Sequence, residues 1–296
     1  MLLQEKMKSI SFSQSEKTII DFILNKQEAI ESYSINDIAH QTYTSASTLI
    51  RIAHKLGFKG WTQMKQAFLN EVKYLQKNFK NINANQPFSA TDSIHDIASK
   101  IFQTKNESLL DTLSLLQQEQ IKKAIKIMQA KTNIKFFALA NIVFLGEEFV
   151  YKLRHIDKNA STYPIQNTMY QEALLSSNND CAIILSYSGE SPELLHIAEL
   201  LSQKQVPVIA ITSIGNNRLE KLADITLHIT TRENSYTKIA GFSSLESASF
   251  ILDILYSTYF SLDYQNNFAT KVNLSKLTEK RRLDNTILND DNNFTL

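Results

Sequence analysis

Residues 181–192 read Cys181-Ala182-Ile183-Ile184-Leu185-Ser186-Tyr187-Ser188-Gly189-Glu190-Ser191-Pro192. The first half is a short apolar run containing β-branched residues, the pattern of a buried strand. It turns through three hydroxyls and one glycine. Ser191 is a good N-cap, and Pro192 stands where a first helical residue tolerates proline. The helix that follows keeps Leu194, Leu195, Ala198 and Leu201 on one side. A helix N-terminus carries unpaired N–H groups and the positive end of the dipole. Ringed by Ser186, Ser188 and Ser191, it suits a phosphate. An ordinary, well-capped strand-to-helix turn would read the same way, because hydroxyls are common in turns.

The surrounding chain has the same alternation. Short apolar runs fall at Ile134–Ala140, Cys181–Ser186, Val206–Thr212 and Ile225–Ile229. Helical patterns lie between them at about Val143–Ile156, Pro192–Gln203 and Arg218–Leu222, and a long one closes the region at about Ser243–Leu262. Strands alternating with helices predict a parallel sheet flanked by helices. Ligands in such sheets bind beyond the carboxyl ends of the strands, where residues 186–191 fall.

The region before Ile134 is different. Ser13-Gln14-Ser15-Glu16 is a capping box opening a helix with Ile19, Ile20, Ile23 and Leu24 at helical spacing. Ser34-Ile35-Asn36-Asp37 opens a second, which stops near Thr42-Tyr43-Thr44. A third runs from about Ser45 to Leu56 and ends at Gly57, a good left-handed cap. This is the helix-turn-helix pattern. On the third helix Leu49, Ile52, Ala53 and Leu56 face the core. Ser45, Ser47, Thr48, Arg51 and Lys55 lie on the other face and are the candidate DNA-binding residues. Hydroxyls in the first turn with a cation one turn on suit base edges and phosphates. An amphipathic surface helix in an all-α domain is the plainer alternative. Lys65 to Lys80 reads as another helix. Asn81 to Ala90 has no periodicity and reads as a linker. Ser93 onward returns to helix with Ile94, Ile97, Ile101 and Phe102 inward, and another helix follows through Ile121, Ala124, Ile125 and Met128.

The totals are compatible with this division. The 296 residues suffice for two domains, each with its own core. Net charge is +1, divided as +4 over residues 1–80 and −3 over the rest. A mildly basic front half suits a nucleic-acid-binding head. Cys181 is the only cysteine, which excludes an intrachain disulfide, and its apolar setting predicts a buried inert thiol. No charged-then-apolar leader opens the chain and no apolar run approaches a membrane span, so a cytoplasmic location is expected.

The run from Ser45 through Arg51 to Leu56-Gly57-Phe58-Lys59-Gly60-Trp61, then Met64-Lys65, resembles the N-terminal domain of the RpiR (MurR/RpiR) family of bacterial transcription regulators. Tyr43 stands where many such turns have glycine, a substitution expected to alter the turn's geometry. The second half is similar to the SIS phosphosugar-binding domain, carried by Ser186–Ser191, Val208–Ser213 and Leu222-Ala223-Asp224. The resemblance implies that the hydroxyls of Ser186, Ser188 and Ser191 hold a sugar phosphate. It also implies that Tyr187 and Gly189 shape the pocket, with Glu233 as a ligand-facing carboxylate. One loop departs from the family. Relatives read like Phe-Gly-x-Gly-x-Ser after the first strand, and here the stretch is Phe137-Ala138-Leu139-Ala140-Asn141-Ile142. Methyl groups at Ala138 and Ala140 are expected to restrict positive φ, and Ile142 supplies no donor.

The implied organisation is an all-α helix-turn-helix domain over residues 1–80 and a linker over 81–92. An α/β SIS domain with a parallel sheet flanked by helices would follow over 93–268, then a polar tail over 269–296. The implied function is a DNA-binding regulator of carbohydrate genes, acting by repression and controlled by a phosphosugar. Its partners would be operator DNA and the sugar, in a homodimer or homotetramer without a membrane. No cofactor or metal is expected. The six glycines form no dinucleotide fingerprint or P-loop, the histidines show no ligand spacing, and His40 and His54 should face solvent. The competing reading is a sugar-phosphate isomerase whose helical head does not bind DNA. It needs a positioned base, for which Glu172, Glu233 and Glu246 are candidates, with His155 or His228 as acid. A third reading is a regulator that has lost its effector.

Overall fold

The computed structural model describes residues 3–78 and 82–278. Contacts divide the chain into two compact units. One holds Met1–Asp111 with Ser213–Asn217 and Thr230–Ser243; the other holds Thr112–Thr212, Arg218–Ile229 and Ser244–Leu296.

The first unit opens with α1 (Leu3–Ser9), α2 (Gln14–Lys26), α3 (Ile35–Gln41), α4 (Ala46–Lys55) and α5 (Trp61–Asn78). Both capping boxes form: Ser13 with Glu16 starts α2, and Ser34 with Asp37 starts α3. Their core gathers Ile19, Ile23, Ile30, Ile38, Leu49, Ile52, Leu56 and Phe68, all with no exposed surface. The short helix α1 has too few residues for a periodic signal. Its Leu3 and Met7 join this core, and the Glu71 carboxylate on α5 accepts its Leu3 and Gln4 N–H groups.

The two breaks in this helical trio are built alike. After α4, the Gly57 N–H reaches His54 O and the Phe58 N–H reaches Ala53 O, with Gly57 at φ +92°. After α3, Tyr43 N–H reaches His40 O and Thr44 N–H reaches Ala39 O, with Tyr43 at φ +52°. Both are Schellman caps. The altered turn expected from Tyr43 is therefore not seen. The tyrosine takes the left-handed conformation that glycine would supply, with its ring 97% exposed.

The expected linker is not a free tether over its described residues 82–92. Asn85 accepts the Ile239 N–H on its carbonyl and the Asn234 N–H on its side chain, and the Phe88 and Phe242 rings lie 6.4 Å apart. Asn-rich sequence has no period to announce such docking, because hydrogen bonds to loops follow none. α6 (Ile94–Leu115) overturns a second expectation. Ile94 and Phe102, read as inward, are 88% and 71% exposed. The buried face carries Thr104, Ser108 and Asp111 instead. Ser108 and Asp111 there pair with the 230–243 segment: the Ser108 and Ser243 hydroxyls lie 2.5 Å apart, and Thr230 donates to Asp111. Ile97 and Ile101 stay half-buried on the same stripe as Thr104, Ser108 and Asp111, so the inward face is the expected one with a polar C-terminal half.

The second unit holds α7 (Gln118–Ala130), β1 (Asn133–Phe137), α8 (Val143–Arg154), β2 (Asn159–Thr162), α9 (Gln166–Leu174), β3 (Asp180–Ser186) and α10 (Pro192–Gln203). It continues with β4 (Val208–Ser213, whose last residue falls in the other unit), α11 (Arg218–Leu222), β5 (Ile225–Ile229), α12 (Ser244–Ser261) and α13 (Tyr264–Thr278). The sheet order is β2-β1-β3-β4-β5, with parallel register from β2 through β4. Successive side chains alternate between two cores. Ile134, Phe136, Ile183, Leu185 and Ile209 pack with α7, α8 and α12. Phe137, Ile184 and Val208 pack with α9 and α10. Burial on both faces explains why β3 is apolar without alternation. β2 and α9 escaped the sequence reading because β2 is a four-residue edge strand burying only Ala160. α13 occupies the start of the expected polar tail; residues 279–296 of that tail lie outside the described residues.

Gly146 on α8 marks a close approach. A Cβ there would stand 2.3 Å from the Phe136 ring on β1, so this helix reaches the sheet only without a side chain. Cys181 is fully buried in β3, and desolvation pushes its thiol up to about 12.

Candidate functional site

Two regions hold the residues singled out by the sequence. The first is the outer face of α4. Ser45 is its N-cap and makes no side-chain capping bond. Its hydroxyl lies 2.8 Å from that of Ser47 and 3.0 Å from that of Thr48. Ser45 and Ser47 are exposed, whereas Thr48, expected on the outer face, is buried. It lies beside Leu49, at the edge of the core face. Ile50 and His54 complete the exposed face. The sequence reading passed over Ile50 as a hydrophobe, although its position three residues after Ser47 would have placed it there. An exposed apolar side chain on such a helix suits a thymine methyl.

Arg51 and Lys55 share this face and one partner. The Glu16 carboxylate on α2 takes Arg51 Nε at 2.9 Å and Lys55 Nζ at 2.7 Å. Burial alone would raise the Glu16 carboxyl. The hydrogen bonds from Lys55, the Ser13 N–H and Arg51 outweigh it and lower it from an ordinary 4.5 to about 2.

The second region lies at the carboxyl ends of β1 and β3. The chain leaves β1 toward α8 on one face of the sheet and leaves β3 toward α10 on the other. This makes the β1/β3 boundary the topological switch point of a 2-1-3-4-5 sheet, where such folds hold ligands. Ser186 ends β3 and is 3% exposed. Its Oγ accepts the Gly189 N–H at 3.2 Å and lies 3.3 Å from Ser191 Oγ. Ser188 Oγ accepts the Glu190 N–H at 3.2 Å. Gly189 sits at φ +65°, the one point in the turn that needs a glycine. α11 braces the turn from below: Leu219 N–H donates to Gly189 O at 3.0 Å, and Arg218 N–H donates to Glu190 Oε1 at 2.9 Å. Tyr187 is half-buried against the sheet core.

Neither helix N-terminus at this crevice is capped by its own side chain. Ser191 makes no capping bond to α10, and Ile142 at the start of α8 has no group to make one. The hydroxyl oxygens of Ser186 and Ser188 accept backbone N–H groups, so their protons point elsewhere. The Ser188 O–H and one O–H of the Ser186–Ser191 pair are left to donate.

The departure in the first loop has a smaller backbone effect than expected. Ala140 adopts φ +53° despite its methyl group, so positive φ is not excluded there. Ile142 packs against the sheet core and offers no donor.

Glu233 belongs to the other unit. Its buried carboxylate accepts the Ser243 N–H at 2.6 Å and Lys238 Nζ at 3.0 Å. Arg232 beside it reaches Glu107 at 2.6 Å. Of the isomerase candidates, Glu172 accepts Lys135 Nζ at 2.9 Å, His155 Nδ1 lies 2.8 Å from Tyr151 O, and His228 Nε2 lies 3.5 Å from Glu220. Among the described residues, no group of three or more His, Cys, Asp or Glu is placed to hold a metal. No helix there is long and apolar enough to cross a membrane.

A helix-turn-helix head joined to a five-stranded α/β domain with a hydroxyl-rich turn at its switch point defines a DNA-binding regulator with a small-molecule domain. Residues 1–74 match the helix-turn-helix domain of the rpiR family, and residues 126–258 match the SIS domain. The chain thus carries an rpiR-family helix-turn-helix domain followed by a SIS domain. The Vibrio vulnificus NanR protein, solved in complex with ManNAc-6P, is similar in fold: TM-score 0.60 at 22% identity, covering 93% of this chain and 97% of that one. The sugar isomerase domain of an RpiR transcription factor from Sphaerobacter thermophilus matches at TM-score 0.53 and 14% identity, covering 61% of this chain and 98% of that one. A putative sugar-phosphate isomerase from Listeria monocytogenes matches at TM-score 0.54 and 15% identity, covering 64% of this chain and all of that one, 100%.

Proposed function

We propose that the turn from Ser186 to Ser191 binds the phosphate of a phosphosugar and that this ligand controls DNA binding through α4. The observation that carries the reading is the convergence of spare hydroxyl protons with the N-terminus of α10, which no side chain caps, at the switch point. Neutral O–H and N–H donors hold a phosphate without burying a countercharge. Tyr187 would line the sugar side. Ser45, Ser47, Arg51 and Lys55 are the proposed DNA contacts, with Thr48 supporting Ser45 from beneath. We assign no catalytic role: the candidate bases and acids with described contacts are engaged in structural pairs. A homodimer or homotetramer is proposed because one helix-turn-helix covers little DNA, and paired half-sites add affinity without new contacts.

The deciding experiment is calorimetry with phosphorylated hexoses and amino sugars on the wild-type protein and on Ser188→Ala, alongside DNA binding with and without each sugar. Because the NanR structure holds ManNAc-6P, N-acetylated amino-sugar phosphates head the panel. Ser188→Ala should lose about 1–3 kcal/mol of sugar affinity and leave sugar-free DNA affinity unchanged. No binding of any anionic sugar at millimolar concentration would remove the pocket assignment.

A further inference from the structure

The cations of α4 are held by one carboxylate. Glu16 has a side chain only 1% exposed, while Arg51 and Lys55 remain 58% and 41% exposed on its outer side. The carboxylate is also held from its own helix, because Glu16 Oε2 takes the Ser13 N–H at 2.9 Å within the capping box of α2. Lys55 Nζ is further confined 5.7 Å from the centre of the Phe12 ring. Arg51 gives its Nε to Glu16, which turns the Nη end of the guanidinium outward. That end is the fork that reads guanine or clamps a phosphate.

Two consequences follow for DNA. Sequence-blind affinity depends on how much phosphate charge the protein neutralises, and an anion within 3 Å of both cations lowers that capacity. Base readout depends on fixed donor geometry, and the same anion supplies it. We propose that Glu16 is a positioning residue that sets DNA specificity, aiming Arg51 and Lys55 while cancelling part of their attraction for phosphate. This rests on the reading of α4 as the recognition helix. A residue that merely stapled α2 to α4 would alter stability but not the salt dependence of binding.

The test uses the full chain and two duplexes: one of random sequence, and one that the wild-type protein selects from a randomised pool. Affinities are read by fluorescence anisotropy across a KCl series. Glu16→Gln keeps the shape and the capping acceptor but removes the charge. It should raise random-duplex affinity about threefold to tenfold at low salt, steepen the log–log salt slope by about one, and cut the preference for the selected duplex about tenfold. Glu16→Asp keeps the charge with a shorter reach, so the wild-type slope should persist while the preference falls. Wild-type slope and preference in both variants, with only a lowered melting temperature, would overturn the proposal and leave Glu16 a staple. If Glu16→Gln does not fold, unchanged preference in Glu16→Asp alone overturns the aiming role. Arg51→Ala separates the two readings. Its loss of preference beside unaffected Glu16 variants discards the proposal and keeps α4 as the reader. No effect in any of the three discards α4 itself.

Discussion

Glu16, Tyr43 and Ala140 show how much a single side chain can decide. Glu16 is ionised in the fold with its carboxyl lowered to about 2. A group lowered on folding stabilises above its unfolded value and loses that contribution as pH falls through the folded one. The helix-turn-helix domain should therefore hold its stability down to about pH 5 and lose it progressively between about pH 4.5 and 2. Glu16→Gln should flatten that part of the profile, measured by urea midpoints across the acid range. Tyr43 and Ala140 both hold positive φ without being glycine. A left-handed L-residue costs about 1–2 kcal/mol, partly offset by the freedom glycine adds to the unfolded chain. Tyr43→Gly should raise stability by about 0.5–1 kcal/mol, because the ring is exposed and gives up no packing. A fall in the melting temperature would show that the ring makes a contact that matters.

The elements that position the candidate ligand site depend on close packing. α8 begins at the loop after β1, and its approach to the sheet passes through Gly146 against Phe136. Gly146→Ala forces a methyl group into that ring and should cost about 1–3 kcal/mol by urea unfolding. Adding Phe136→Leu should recover part of the loss, since the clash is with the ring; no recovery would place the cause in the helix backbone. α10 is fixed differently, through the hydrogen bonds from α11 to Gly189 and Glu190.

For the assembled protein, the informative element is α6. Its hydroxyls and Asp111 face inward, while Ile94, Phe102 and Leu110 face solvent. Phe102, Leu110 and Leu113 leave exposed apolar surface on this helix where a second copy could pack. If the protein associates through it, a Phe102→Ser, Leu110→Ser pair should lower the mass seen by sedimentation at micromolar concentration. DNA affinity should fall with it, since paired half-sites would no longer be held together. An unchanged mass would place the proposed oligomer contact elsewhere.

Much of this chain was legible without coordinates. Ser13-Gln14-Ser15-Glu16 and Ser34-Ile35-Asn36-Asp37 are local hydrogen-bond patterns, so residue type and spacing specify them. The Gly57 cap and the 186–192 turn into α10 are local in the same sense. The apolar runs of β3 and β4 announced burial on both faces because nothing polar interrupts Cys181–Leu185 or Val208–Ile211. What stayed hidden depends on distant partners. Glu16 read as a capping residue, and its grip on Arg51 and Lys55 joins positions 35 and 39 residues away. The polar half of α6's buried face could not be read from an apolar period, since its partners Ser243 and Thr230 lie more than a hundred residues on. The positive φ of Tyr43 and Ala140 goes against their local preference. At Tyr43 the Schellman hydrogen bonds to His40 and Ala39 hold it, and residue type alone does not announce them.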